Sequence, residues 1–182
     1  MEVNFAEDHI CFLRYEFPGA TVYPTGMVTP AQIRDADWKT WPPEIRTTRG
    51  ETLFVLRGNQ ADLEQFCQRN GVTWKYRPDT WSDLLEPFLD TWFDPEHERA
   101  TDKRLRDAGF SAAEVDDIRQ RLTPLMNAYN FDSMLWEWVD LNLFDLLSAA
   151  AGPLVNPTLQ RATLGDPATF YRWAMRIAER HP

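Results

Sequence analysis

The period of the apolar positions changes near residue 79. Before it, short apolar or β-branched runs are broken by Pro and Gly; after it, apolar residues return every three or four positions. HICFLRYEF (9–17) and ATVY (20–23) read as strands stopped by Pro18-Gly19 and Pro24. Thr29 and Pro30 offer a helix cap and a first helical position, so TPAQIRDADW (29–38) is predicted as a short helix. WKTWPPEIRTTRG (38–50) reads as loop, because Pro42-Pro43 suits neither a helix interior nor a central strand. ETLFVLR (51–57), NQADLEQFCQRNG (59–71) and VTWKYR (72–77) then read as strand, helix and strand. A parallel pair with a right-handed crossover is the expected arrangement, with Asn59 and Gly71 bounding the helix.

From residue 79 the pattern is helical. Trp81, Leu84, Leu85, Phe88, Leu89 and Trp92 fall at offsets 0, 3, 4, 7, 8 and 11, one face of a helix, expected to turn inward. Pro87 interrupts it at a cost of about 3 kcal/mol in a helix interior, so a kink or two short helices is expected. Helices are also predicted from Pro95 to Ala108, ended by Gly109, and from Ser111, whose pairing with Glu114 makes a capping box. Two more follow, over 131–152 and over 165–182, the latter capped by Asp166. The predicted class is α+β: a small N-terminal sheet layer with two helices (1–78), packed on an acidic helical region (79–182), either as two domains or as one continuous domain.

Charge sharpens this division. The 182 residues carry a formal net charge of -9. Residues 1–78 hold 10 acids and 9 bases, whereas 79–182 hold 18 acids and 10 bases. Such a field repels nucleic-acid phosphates and anionic lipid, and attracts basic proteins. Neither nucleic acid nor membrane is therefore an expected partner, and no apolar run reaches the ~18 residues of a membrane span. No secretory signal is evident at the N-terminus, and Cys11 and Cys67 form neither a disulfide framework nor a metal knuckle. Both are expected to pack as small hydrophobes in a cytoplasmic, reduced protein.

The densest charge is in DTWSDLLEPFLDTWFDPEHE (79–98), with seven carboxylates and no Lys or Arg. On one continuous helix Asp79, Asp83, Glu86 and Asp90 would form a stripe with neighbours roughly 6 Å apart along the axis. Unpaired like charges destabilise a helix by a few tenths of a kcal/mol each, a cost that a basic partner removes. Asp83, Glu86 and Asp90 are therefore candidate partner-binding residues that steer a basic protein. In 131–152, Trp138 and Leu141 intrude on the polar face and would supply the apolar anchor if exposed. That helix also leaves room for a homodimer. The expected function is a non-catalytic protein-binding role of adaptor, inhibitor or immunity type, with no catalytic residue and no cofactor.

A second reading rests on two Glu-x-x-Asp pairs, Glu114 with Asp117 and Glu137 with Asp140. Spacing of i,i+3 puts both carboxylates of a pair on one helical face, and two such faces opposed could hold Mg²⁺. These pairs resemble those of the all-α nucleotide pyrophosphohydrolases of the MazG type. That resemblance implies a metal-dependent phosphohydrolase in which these four carboxylates are the ligands and the metal activates a water. The four must then converge within about 5 Å. His97 lacks the second His of a HExxH zinc helix, and no G-x-S-x-G nucleophile motif occurs.

Overall fold

The computed structural model describes residues 1–89, 92–132 and 140–181. It shows an α+β protein with two compact units, Met1–Arg77 and Pro78–Pro182.

In the first unit, β1 (Glu2–Phe5), β2 (Ile10–Arg14) and β3 (Gly26–Val28) form one antiparallel sheet in that order. β4 (Ile33–Asp37), β5 (Glu44–Thr47) and β6 (Thr52–Phe54) form a second, also antiparallel. α1 (Gln60–Arg69) follows, burying Leu63, Phe66 and Cys67 as its spacing predicts. Burial pushes the Cys67 thiol up to about 12, in keeping with a packed, unreactive side chain. Aromatic edges hold the core together: Phe12, Tyr15, Phe17 and Phe54 form a T-shaped chain with centroids 5.2, 5.5 and 6.2 Å apart. The buried Tyr15 hydroxyl is satisfied by the Phe54 N–H at 3.1 Å.

Four expectations for this unit are corrected. ATVY contributes turn rather than strand. The Thr29-Pro30 start is real, but it launches only the 3₁₀ turn Pro30–Gln32, closed by Gln32 Oε1 accepting from Thr29 N at 2.9 Å. The chain then extends as β4, in which Ile33, Asp35, Ala36 and Asp37 are buried and the two aspartates are held by Arg46 and Trp74, so no alternating apolar pattern marks the strand. Pro42-Pro43 precedes β5 rather than preventing it. There is no parallel crossover: β6 lies antiparallel to β5, and 72–77 adds only an isolated parallel bridge between Trp74 and Ala36 of β4.

The second unit is helical: α2 (Thr80–Leu85), α3 (Pro95–Asp107), α4 (Ala112–Asn127), α5 (Leu143–Ala151), α6 (Pro157–Leu164) and α7 (Pro167–Ala178). α2 is central and touches α3, α4 and α7. Its Trp81, Leu84 and Leu85 are fully buried, and Trp81 Nε1 donates to Ala174 O at 3.1 Å. Local caps set the boundaries. Asp79, Asp94, Ser111, Asn142, Asn156 and Asp166 each accept a backbone N–H at a helix start, and Gly109 turns out of α3 at φ +83°. α6 has the Asn156-Pro157 start signal and lies outside the expected helices. The continuous 131–152 helix is also corrected, because Asn142 and Asp145 form a capping box that begins a new helix at Leu143. Among the described residues no helix is long and apolar enough to cross a membrane.

Candidate functional site

Pro87 decides the fate of the acidic stretch. α2 ends at Leu85, a 3₁₀ turn covers Glu86–Phe88, and Leu89 is extended. The stripe therefore does not form on one helix. Asp79 is instead the N-cap of α2, accepting from Trp81 N at 2.9 Å and from Leu143 N at 3.0 Å. Asp83 grips Arg104 of α3: Nε lies 3.0 Å from both carboxylate oxygens and Nη2 2.6 Å from Oδ1. Glu86 lies between His97 Nε2 at 2.5 Å and Thr101 Oγ1 at 3.1 Å. Asp94 caps α3 through Glu96 N and His97 N. Most of these charges serve the fold, and Asp90 lies outside the described residues.

The same break turns an expected core residue outward. Trp81, Leu84, Leu85 and Phe88 are buried as predicted, but Trp92, which helical spacing puts on that face, is 84% exposed. The helix that would have turned it inward has already ended. Phe93, next to it, stacks on His97 with centroids 4.5 Å apart. Together they flank a groove of about 370 Å³. Its carboxylates are Glu86, Glu98 and Asp102, and its apolar wall comes from Pro87, Leu89, Trp92 and Phe93. Arg119 also lines it, but donates to the α2 carbonyls of Leu84 (3.2 Å) and Asp83 (3.1 Å). Glu98 and Asp102 were not among the sequence candidates, although their i,i+4 spacing on a single helix places both on one face.

The other candidates separate. Leu141 is 1% exposed and belongs to the core, which removes it as a surface anchor; Trp138 lies outside the described residues. In the C-terminal part of the predicted 131–152 helix, Leu143, Leu146 and Leu147 of α5 are buried in the fold. Glu114 does not complete its capping box. Ser111 Oγ accepts from Glu114 N at 3.2 Å, but the Glu114 carboxylate binds Arg180 instead, Nη1 at 2.5 Å and Nη2 at 3.2 Å. That hydrogen-bonded ion pair holds the Glu114 carboxyl below the ordinary range. Asp117 lines a groove with three arginines. Asp140 hydrogen-bonds Ser82 and feels the Asp83 charge; although the residue as a whole is exposed, its carboxyl is desolvated enough to titrate higher than usual. Glu137 lies outside the described residues. Among the described residues no three His, Cys, Asp or Glu side chains are grouped to hold a metal ion, so the described members of the Mg²⁺ set do not fit one.

Asp145 marks a different environment. It is 1% exposed, accepts from Asn142 N at 3.0 Å and from the Tyr129 hydroxyl at 3.3 Å, and lies near the charges of Asp140 and Asp79. Burial, only partly offset by those hydrogen bonds, pushes its carboxyl up to about 6.

Comparison of the chain with protein-family models, with curated proteins and with solved structures gives no significant match.

Proposed function

We propose that the protein is a non-catalytic binding protein, of adaptor, inhibitor or immunity type, that docks a basic protein partner on the groove formed by Glu86–Phe88, Trp92, Phe93 and α3. The observation that carries this reading is Trp92, 84% exposed beside Glu86, Glu98 and Asp102. A large aromatic side chain left in water at the lip of a carboxylate-lined groove has the makeup of an interface hot spot: desolvated anchor at the centre, charge around it. The second unit's 18 acids against 10 bases extend that attraction outward and favour fast, salt-sensitive association. Relative to the expectation from sequence, the anchor moves from Trp138 and Leu141 to Trp92. The charge moves from Asp83, consumed by Arg104, to Glu98 and Asp102, with Glu86 shared. A cytoplasmic setting suits such a role. No observation favours the phosphohydrolase reading.

The test is affinity capture from native lysate at low salt, with captured proteins identified by mass spectrometry. Wild type is compared with a Trp92→Ala, Glu98→Gln, Asp102→Asn variant of unchanged circular dichroism. The expected result is a basic protein held by wild type, lost by the variant and released as salt screens the contact. The same proteins on both columns, or none specific to wild type, would end this reading.

A further inference from the structure

A second groove, also of about 370 Å³, lies between α4 and α7 and has the opposite electrostatic character. Both helices pack on α2 and α5, and the residues they turn to the groove repeat the same spacing. From α4 come Glu114, Asp117, Ile118 and Arg121; from α7 and its C-terminal extension come Trp173, Arg176, Ile177 and Arg180, each set at offsets 0, 3, 4 and 7. Ile118 and Ile177 are buried and form an apolar floor.

The three guanidinium groups are not equivalent. Arg180 is committed: it binds Glu114 and Gly109 O, and its Cζ lies 3.4 Å from the Phe110 ring centroid. Arg121 packs on aromatic rings instead, its Cζ 4.4 Å from the Trp173 ring centroid and 5.7 Å from that of Phe170. The cation–π contact tethers this exposed guanidinium beside the groove, and its N–H groups have no acceptor among the described residues. Arg176 has neither an ion pair nor a hydrogen bond among them. Asp117 lines the same groove without coming within ion-pair distance of either arginine. The groove thus holds two exposed donor groups with no oxyanion to receive them, one tethered by aromatic contacts, above an apolar floor. A planar, weakly hydrated guanidinium in this state is suited to phosphate or carboxylate. The volume is that of a small-molecule site.

We propose that this groove binds a small amphipathic oxyanion, a phosphate or carboxylate group carried on an apolar body, with Arg121 and Arg176 receiving the charge and Ile118 and Ile177 the body. The site is separate from the docking groove and does not depend on it. The negative field of the second unit does not prevent binding, because at physiological salt charges more than about 8 Å away are largely screened.

Phenyl phosphate is the probe, titrated into the full chain by isothermal calorimetry at 0.15 M salt, with inorganic phosphate, phenol and MgCl₂ alongside. Saturable binding of phenyl phosphate, tighter than inorganic phosphate and absent for phenol and Mg²⁺, is expected. Arg121→Gln and Arg176→Gln should each weaken it about tenfold, the loss expected for one charge-assisted hydrogen bond. Asp117→Asn should strengthen it by removing a like charge, and Arg172→Gln, outside the groove, should leave it unchanged. The Asp117→Asn gain keeps the test independent of folding, since a damaged fold does not bind more tightly. No saturable binding, wild-type affinity in both arginine variants, or weaker binding by Asp117→Asn would overturn the proposal.

Discussion

The Asp83 carboxylate lies across the Arg104 guanidinium with three contacts of 3.0, 3.0 and 2.6 Å, joining α2 to α3. Asp83 is mostly buried and Arg104 about half exposed, so water screens part of the attraction. Asp83→Ala should cost about 1–2 kcal/mol in urea denaturation. A double-mutant cycle with Arg104→Ala should show coupling of about 1 kcal/mol. A coupling near zero would mean that Asp83 is as free to meet a partner as the sequence suggested.

Helical spacing puts Trp81 and Trp92 on one face, and the fold gives them opposite environments. Trp81→Ala should lose about 3–5 kcal/mol, since it removes a fully buried indole and its hydrogen bond to Ala174 O. Trp92→Ala should change stability by no more than about 0.5 kcal/mol. Comparable losses for both would show that Trp92 is packed and would remove it from the docking groove.

What was legible in the sequence was what depends on neighbours in sequence. Asp94 with Pro95, Ser111 and Asp166 with Pro167 cap their own helices, and Gly109 ends one, so α3, α4 and α7 lie where their local chemistry puts them. β4 was not legible, because two of its four buried residues are Asp35 and Asp37. Their burial makes sense only beside Arg46, Arg77 and Trp74, which the chain supplies 11, 42 and 37 positions away. The acidity of 79–98 was equally plain, but not which carboxylates stay free. Asp83 finds its partner 21 residues on, and Trp92 turns outward only because Pro87 cuts the helix on which its position was counted.

Asp145 makes stability depend on pH. Its folded-state carboxyl titrates at about 6, above its ordinary 3.8, so the native state binds the proton more tightly than the unfolded chain does. The penalty for ionising it is therefore present above pH 6 and is relieved as pH falls toward 4. Wild type should gain about 1 kcal/mol of stability from this group between pH 7 and pH 5, since each tenfold difference in proton affinity is worth about 1.4 kcal/mol. Asp145→Asn keeps the shape and an acceptor for Asn142 N, and should flatten that slope. Parallel pH profiles for the two proteins would exclude Asp145 as its source.

The buried ion cluster of the first unit gives the largest expected loss. Asp35 is 3% exposed and accepts from Arg46 Nη1 at 2.9 Å, Arg77 Nη2 at 2.7 Å and Arg34 Nε at 3.1 Å. Arg46 in turn donates to Lys75 O at 2.9 Å and to Glu44 at 2.5 Å, tying β4 and β5 to the segment after α1. Asp35→Ala removes the acceptor but leaves the nearly buried Arg46 charge in place, and should cost about 3–5 kcal/mol. Arg34 is one-third exposed and can return to water, so Arg34→Ala should cost less than about 1 kcal/mol. Equal losses in urea denaturation would mean that Arg46 finds enough compensation in Glu44 and Lys75 O alone. In that case Asp35 would lie inward through the register of β4, and not because the cluster requires it there.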